Sequence, residues 1–101
     1  MMTISDYIKI ILQKKKWTNV RFAEEINKIN AKIGEKKIFA QNITNMLNDD
    51  RNISIKTLVK FEVALGLENG SLTRLAPNQP MGKEAKRVYK EIKEKVGIYG
   101  N

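Results

Sequence analysis

The amino-acid sequence predicts an all-α protein, and three observations support that prediction. Apolar residues recur at intervals of three and four along most of the 101 residues, which is the spacing of one helix face. The two prolines, Pro77 and Pro80, fall together, so the strongest helix breaker is absent from everything before them. The length suits one domain, and 42% hydrophobic residues can fill a small core. We expect five helices in residues 1–76, a linker at 77–80 and an amphipathic helix over 81–101.

The first predicted helix runs from Ser5 to about Lys16. Thr3 and Asp6 have the spacing of a capping box, in which each side chain bonds the backbone of the other. The apolar stripe consists of Ile4, Ile8, Ile11 and Leu12, widened by Tyr7 and Ile10. Trp17 follows at the junction with the next helix, where we expect it to pack into the core; the alternative is a stacking surface for a base.

The second predicted helix begins after its cap, Thr18, and ends near Gly34. Its apolar stripe is Val20, Ala23, Ile26 and Ile29. A polar connector leads to a short third helix over Ala40–Asn48. There Ile43, Met46 and Leu47 are expected to face the core, and Gln41, Asn42, Thr44, Asn45 and Asn48 to face outward. Phe39 is a poor N-cap residue, so we expect it to pack inward.

The fourth predicted helix begins after Ser54, ends at Gly66 and is the most apolar, so we expect it to be the central packing element. Asn69 to Ser71 are predicted to start a short fifth helix. The final helix carries apolar residues on one face, Met81, Ala85, Val88, Tyr89, Ile92 and Val96. Three roles are open for it: packing on its own domain, a dimer contact through Val88, Ile92 and Val96, or a membrane surface. The last is least favoured because the apolar face lacks Trp and Phe.

The formal net charge of +8 and the pI near 9.8 favour an acidic partner, nucleic acid before an anionic membrane. The basic excess falls in residues 1–17, 36–60 and 81–101, whereas 18–35 is neutral. This pattern is typical of phosphate contacts that flank a groove-reading helix, although a basic solvated surface is the alternative.

The absence of Cys excludes disulfides, thiolate chemistry and zinc fingers. His is also absent, and the sequence contains no paired carboxylates with an accompanying pocket motif, no glycine-rich phosphate loop and no metal-ligand cluster. We therefore expect no enzyme activity, no metal and no cofactor. At the N-terminus the basic residues follow the apolar run, which is the wrong order for a signal peptide, and the run is too short to span a bilayer. We expect a cytoplasmic protein.

The outward face of the third predicted helix is rich in amides and has no charge. Asn and Gln can both donate to and accept from the edge of an adenine, so this face suits a DNA major groove. The predicted base-contacting residues are Gln41, Asn42, Asn45 and, more weakly, Thr44. A solvated helix face is the alternative. Lys36 and Lys37 precede the helix N-terminus, where its dipole also favours an anion; a solvated connector is again the alternative.

Several of these features occur in the order of a known family. Thr18 with Phe22-Ala23, the apolar Ile43 followed by a polar turn, and the run Ala64–Leu67 resemble the phage-repressor and Cro-like (XRE-type) helix-turn-helix family. The resemblance covers about residues 6–76. It implies a five-helix lambda-repressor-like helix-turn-helix fold and a homodimer on double-stranded DNA. The residues predicted to contact phosphate are Lys36, Lys37, Asn48, Arg51, Asn52 and Lys56.

Two features depart from the family pattern. The segment Asn27–Lys37 replaces a tight turn with a longer connection. Leu12 and Leu47 stand where the family often pairs Arg with Glu, an exchange that packed apolar residues tolerate. The function implied is a sequence-specific transcriptional regulator, a repressor of phage or mobile-element type. The alternative is a helix-turn-helix scaffold that binds a protein through its C-terminal helix, such as an antitoxin or an inhibitor of a nucleic-acid enzyme.

Overall fold

The computed structural model describes residues 2–76 and 82–97, and the regular secondary structure of this part of the chain is all helical, with no strand. Its elements are α1 (Ile4–Lys15), α2 (Asn19–Ile33), α3 (Ala40–Asn48), α4 (Ile55–Leu65) and α5 (Lys83–Val96), with 3₁₀ turns at Asp50–Asn52 and Thr73–Leu75. The predicted all-α class is confirmed for these residues. The predicted linker at 77–80, and positions 81 and 98–101 of the last predicted helix, lie outside the described residues.

Side-chain hydroxyls fix where three helices begin. Thr3, Thr18 and Ser54 each accept a hydrogen bond from the backbone N–H three residues later, at 3.0, 3.1 and 3.2 Å. These bonds satisfy N–H groups that have no partner within the helix. Gly34 and Gly66 end α2 and α4 with φ of 76° and 72°, a left-handed conformation that glycine adopts at low cost. The predicted caps and stops of these helices are confirmed.

Helix α4 is the centre of the core, as predicted. Nine of its 11 residues are buried, and it packs against both α2 and α5. Phe61 of α4 meets Phe22 of α2 with ring centroids 4.9 Å apart, and neither ring is exposed to solvent. The remaining helices add apolar side chains to the same cluster, among them Ile8 and Leu12 of α1 and Leu47 of α3. Leu12 and Leu47 are thus both buried apolar residues, as their exchange for an ion pair requires.

Helix α5 packs against its own chain. Val88, Ile92 and Val96 are 8%, 3% and 6% exposed and belong to the same core cluster. The Tyr89 hydroxyl adds a hydrogen bond to the backbone carbonyl of Leu67, at 3.1 Å. Of the three roles that the sequence leaves open, intramolecular packing is the one observed. The assignment of Val88, Ile92 and Val96 to a dimer contact is therefore corrected, because their apolar surface is already covered.

The segment predicted as a short fifth helix is only a 3₁₀ turn, and one buried carboxylate explains why. Glu62 is fully buried, and its carboxylate accepts several hydrogen bonds from this segment. The backbone N–H groups here therefore bond to the carboxylate and do not continue a helix. The backbone donors to Glu62 are the N–H groups of Gly70, Leu72 and Thr73, at 3.1, 2.8 and 3.0 Å. The residue before Pro77 is extended (φ −66°, ψ 122°), as a following proline favours.

Three apolar residues lie on the surface against expectation. Ile10 of α1, predicted to widen the apolar stripe, is 40% exposed. Val20 is 57% exposed. Each three-residue step falls about 60° short of a full helical turn, so the predicted stripe drifts around α2 and Val20, its first residue, lies off the buried face. Phe39 is 62% exposed instead of packed inward.

Trp17 is half-buried and packs against the core at the α1–α2 junction, with the Arg21 guanidinium 4.8 Å from its ring centroid. Within the described ranges, no helix has the length and apolar character needed to cross a membrane.

Replacing Ile92 of α5 with alanine should lower the free energy of unfolding by about 2–5 kcal/mol, because the change leaves a cavity between α5 and the core. The matched control is Ile10→Ala on α1, where the side chain is 40% exposed and the loss should stay below about 1 kcal/mol. Urea unfolding followed by circular dichroism measures both. Equal losses at the two positions would contradict the packing of α5.

Candidate nucleic-acid interface

The connector between α2 and α3 is held in place by amide side chains. Asn27 of α2 donates from Nδ2 to the Ile38 carbonyl and accepts at Oδ1 from the Ile38 N–H, both at 2.8 Å. Asn30, which is 1% exposed, donates to the Lys36 carbonyl at 3.0 Å. Backbone groups in a connector need partners when they are shielded from water, and these amides supply them. The long α2–α3 connection is therefore clamped to α2, and α3 starts from a fixed position.

An ionic cluster ties the same connector to α4. The Lys60 ammonium, on a residue only 8% exposed, donates to Asn30 Oδ1 at 2.9 Å and to Glu35 Oε1 at 2.7 Å. Lys56 forms an ion pair with the other oxygen of Glu35. Burial raises the pKa of the Glu35 carboxyl, but the hydrogen bonds and charges of Lys56 and Lys60 outweigh it and hold that pKa below 4.5. The buried ammonium is thus compensated, and the connector is fixed at both α2 and α4.

Helix α3 has the two faces that its sequence predicts. Ile43 and Leu47 are buried, Met46 is half-buried, and Gln41, Asn42, Asn45 and Asn48 are exposed. No residue of the helix is charged. Gln41 and Asn45 lie one turn apart, and Gln41 Nε2 donates to Asn45 Oδ1 at 2.9 Å. This bond leaves Gln41 Oε1 to accept and Asn45 Nδ2 to donate, the two functions that pair with the major-groove edge of adenine.

The other two predicted base-contacting residues have partners within the protein. Asn42 Oδ1 accepts from the Phe39 N–H at 2.8 Å and so closes the first turn of α3. The half-buried Thr44 accepts from Asn19 Nδ2 at 3.2 Å and donates to the carbonyl one turn earlier, which joins α3 to α2. The structure therefore brings Gln41 and Asn45 together on the exposed surface and gives Asn42 and Thr44 local structural bonds.

Cations lie at both ends of α3. Lys36 and Lys37 are exposed just before its N-terminus, and Arg51 is exposed just after its C-terminus. Within residues 2–76 and 82–97 no salt bridge joins these three side chains to a carboxylate. Their charge is therefore available to an anionic partner, and the N-terminal end of the helix dipole reinforces it beside Lys36 and Lys37.

The acidic residues after α3 are occupied by local bonds. Asp50 Oδ2 accepts from the Ser5 N–H in the first turn of α1, at 2.9 Å. Asp49 Oδ2 accepts from Asn52 Nδ2 at 2.7 Å. Asn52, a predicted phosphate contact, is thus engaged with Asp49, while Asn48 is exposed at the end of α3. These bonds give both carboxylates a structural role in the turn that leads from α3 to α4.

Lys56 lies in the first turn of α4. It lines a cleft between α4, the end of α2 and α5, whose other lining residues include Ile33, Arg87 and Glu91. None of the residues that line this cleft belongs to α3. The ion pair with Glu35 gives this lysine a role in holding the connector, and the phosphate contact at Lys56 stays a prediction.

The residues that hold the connector in place were not singled out from the sequence. Asn27 and Asn30 interrupt the apolar stripe of α2 next to Ile26 and Ile29, and Lys60 interrupts the apolar run of α4. Because buried polar side chains are almost always hydrogen-bonded, a polar residue inside an apolar stripe predicts a buried hydrogen-bond partner, and this pattern could have identified these residues. The partner itself, the connector backbone, has no sequence signature.

Within the described ranges, no group of three or more His, Cys, Asp or Glu side chains could hold a metal ion. Comparison of the chain with protein-family models, curated proteins and solved structures finds no match. A function is therefore inferred from the geometry and charge of the chain itself.

Asn27→Ala should lower the free energy of unfolding by about 1–3 kcal/mol, because both backbone groups of Ile38 lose their partner. The matched control is Asn48→Ala at the exposed end of α3, which should change it by no more than about 0.5 kcal/mol. Thermal unfolding measures both variants. In addition, amide hydrogen exchange at Ile38 should be slow in the wild type and fast in Asn27→Ala; fast exchange in both would contradict the clamp.

Proposed function

We propose that this protein is a sequence-specific double-stranded DNA-binding transcriptional regulator, a repressor of the phage or mobile-element type. In this proposal α2 and α3 form a helix-turn-helix, and α3 enters the major groove. The observation that carries the proposal is the exposed, uncharged amide face of α3, with cations at both of its ends that form no salt bridge within residues 2–76 and 82–97. Solvated helix faces usually carry Lys and Glu instead, so an amide face favours a binding role.

The geometry of α3 suits base readout. The major groove admits an α-helix, and a pair of amides can present one acceptor and one donor to adenine. Gln41 and Asn45 are already joined to each other, which orients the remaining oxygen and amide group before DNA is bound. Orientation before binding reduces the entropy that would be lost in the complex. Asn42 and Thr44 are proposed to add contacts only through groups that their structural bonds leave unused.

The charges around α3 suit the DNA backbone. Contacts to phosphate position a protein on the duplex, whereas contacts to base edges specify the sequence. Lys36, Lys37 and Arg51 are proposed to provide the ionic contacts, and Asn48 a neutral one. Because Lys36 and Lys37 adjoin the α3 N-terminus, the backbone N–H groups there can share the same phosphate.

The proposed fold is lambda-repressor-like, with α3 as the recognition helix and α4 as its support. The order of capped helices, and the burial of Leu12 and Leu47, support this assignment. We further propose that two copies bind two half-sites about 34 Å apart, since one short helix reads few base pairs. The contact between copies must use a surface other than the apolar face of α5, which is buried.

The alternative function, a scaffold that binds a protein through its C-terminal helix, has less support. The apolar residues of α5 face its own core. Its exposed surface is charged and includes an ion pair between Arg87 and Glu91 at 2.9 Å. A protein contact through α5 would therefore have to form on this charged surface, because the apolar face is covered.

Gln41→Ala and Asn45→Ala should each weaken binding to the cognate site by about 1–3 kcal/mol and leave non-specific binding unchanged, because they remove base contacts. Lys37→Ala, a matched variant at a phosphate contact, should weaken both kinds of binding alike. The cognate site is first obtained by selection from random duplexes, and affinities are then measured at several salt concentrations. The log–log salt slope should correspond to about three or more phosphates per protomer, because Lys36, Lys37 and Arg51 provide the ionic contacts.

Two results would contradict the proposal. A salt slope near zero, or no binding at low salt, would exclude duplex DNA as the partner. An unchanged ratio of cognate to non-specific affinity in both Gln41→Ala and Asn45→Ala would exclude α3 as the reading element.

A further inference from the structure

An apolar groove lies directly beside the N-terminus of α3. Val20 of α2 and Phe39, at 57% and 62% exposed, are two of the large hydrophobic side chains most open to solvent, and both line this groove. Ala23 and Ile38 form part of its wall. Leaving two large apolar side chains together in water forgoes the free energy of burying them. Their common location therefore indicates a contact surface.

The backbone holds the Phe39 ring outward. The Phe39 N–H is bonded to Asn42 Oδ1 at 2.8 Å, and the preceding residue, Ile38, is bonded through both backbone groups to Asn27. Phe39 itself is extended, with φ −126° and ψ 167°. With the backbone fixed on both sides, the ring is presented in a defined place, two residues before Gln41.

The charges around the groove indicate the kind of partner. The Lys37 ammonium lies 6.0 Å from the centre of the Phe39 ring, and Lys36 directly precedes Lys37 in the sequence. Neither lysine forms a salt bridge in the part of the chain that the structure describes. Glu24 lines the α2 side of the groove, so an anion is favoured only on the side toward α3. A partner with an apolar group set beside a phosphate chain meets both requirements.

Thymine in the DNA major groove has this chemistry. Its 5-methyl group is the apolar feature of the groove edge, and phenylalanine is among the side chains that contact it. Helix-turn-helix proteins bring the N-terminal end of the recognition helix to the base edges, which is where Phe39 precedes Gln41. We propose that Phe39, supported by Val20, is a specificity-determining residue that contacts a thymine 5-methyl group beside the base read by Gln41. This inference rests on the proposed function.

Replacing thymine by deoxyuridine removes only the methyl group, so it tests the contact on wild-type protein. In the selected site, thymines are replaced one at a time, and affinity is measured for the wild type, Phe39→Ala and Phe39→Leu. One position per half-site should weaken wild-type binding about fourfold, the value of one buried methyl-sized group. Phe39→Ala should bind the thymine and deoxyuridine sites equally, whereas Phe39→Leu should keep part of the difference. Because the ring is exposed, the thermal unfolding midpoints of the variants should match the wild type.

The outcomes separate this inference from the function beneath it. A selected site at which no thymine methyl matters, or one at which wild type and Phe39→Ala lose the same factor, overturns the role of Phe39 and leaves the DNA-binding proposal intact. A selection that enriches no sequence overturns the proposed function, and this inference with it.

Discussion

The pairing of the Asn27 side chain with both backbone groups of Ile38 is the contact on which the position of α3 depends. A connector of this length between two helices allows many helix orientations, and each residue left unfixed adds conformational entropy to the unbound state. The two bonds at 2.8 Å, together with the Asn30 bond to Lys36, remove most of that freedom. The exposed amides of α3 and the ring of Phe39 thus stand in a fixed relation before any partner is bound. The long connection serves the interface because it is rigidly bonded to α2.

Helix α4 organises the rest of the molecule through two buried charges, two residues apart. Lys60 donates hydrogen bonds to Asn30 and Glu35, and so attaches the connector to α4. The Glu62 carboxylate accepts hydrogen bonds from the turn at residues 70–73 and from the side chain of Asn69. Asn69 also donates to the Ala85 carbonyl of α5 at 3.4 Å. A buried charge is tolerated only when hydrogen bonds replace its hydration, so each of these side chains requires its surroundings to be in place. Correct packing of α4 therefore sets both the position of the connector before α3 and the docking of α5.

The sequence predicted the elements well and their long-range partners poorly. Hydroxyl caps and glycine stops are local signals, which is why the ends of α2 and α4 and the faces of α3 follow from neighbouring residues. Periodicity located the apolar face of α5 but not the surface that covers it, so a dimer contact and an intramolecular one looked alike. The prediction that Phe39, a poor N-cap residue, faces inward is wrong because the bonds that turn it outward, at Ile38 and Asn42, depend on the folded connector. The ion pair between Lys56 and Glu35 is likewise visible only in the folded chain.

The central claim is that the amide face of α3 lies in the major groove of DNA. The most direct measurement is nuclear magnetic resonance of isotope-labelled protein bound to the selected duplex, observing contacts between side-chain amide protons and base protons. We expect cross-peaks from the amide groups of Gln41 and Asn45 to protons on the major-groove edge of the bases, with the α5 signals little changed. Perturbations confined to α5, with no cross-peak from α3 to any base, would contradict the claim.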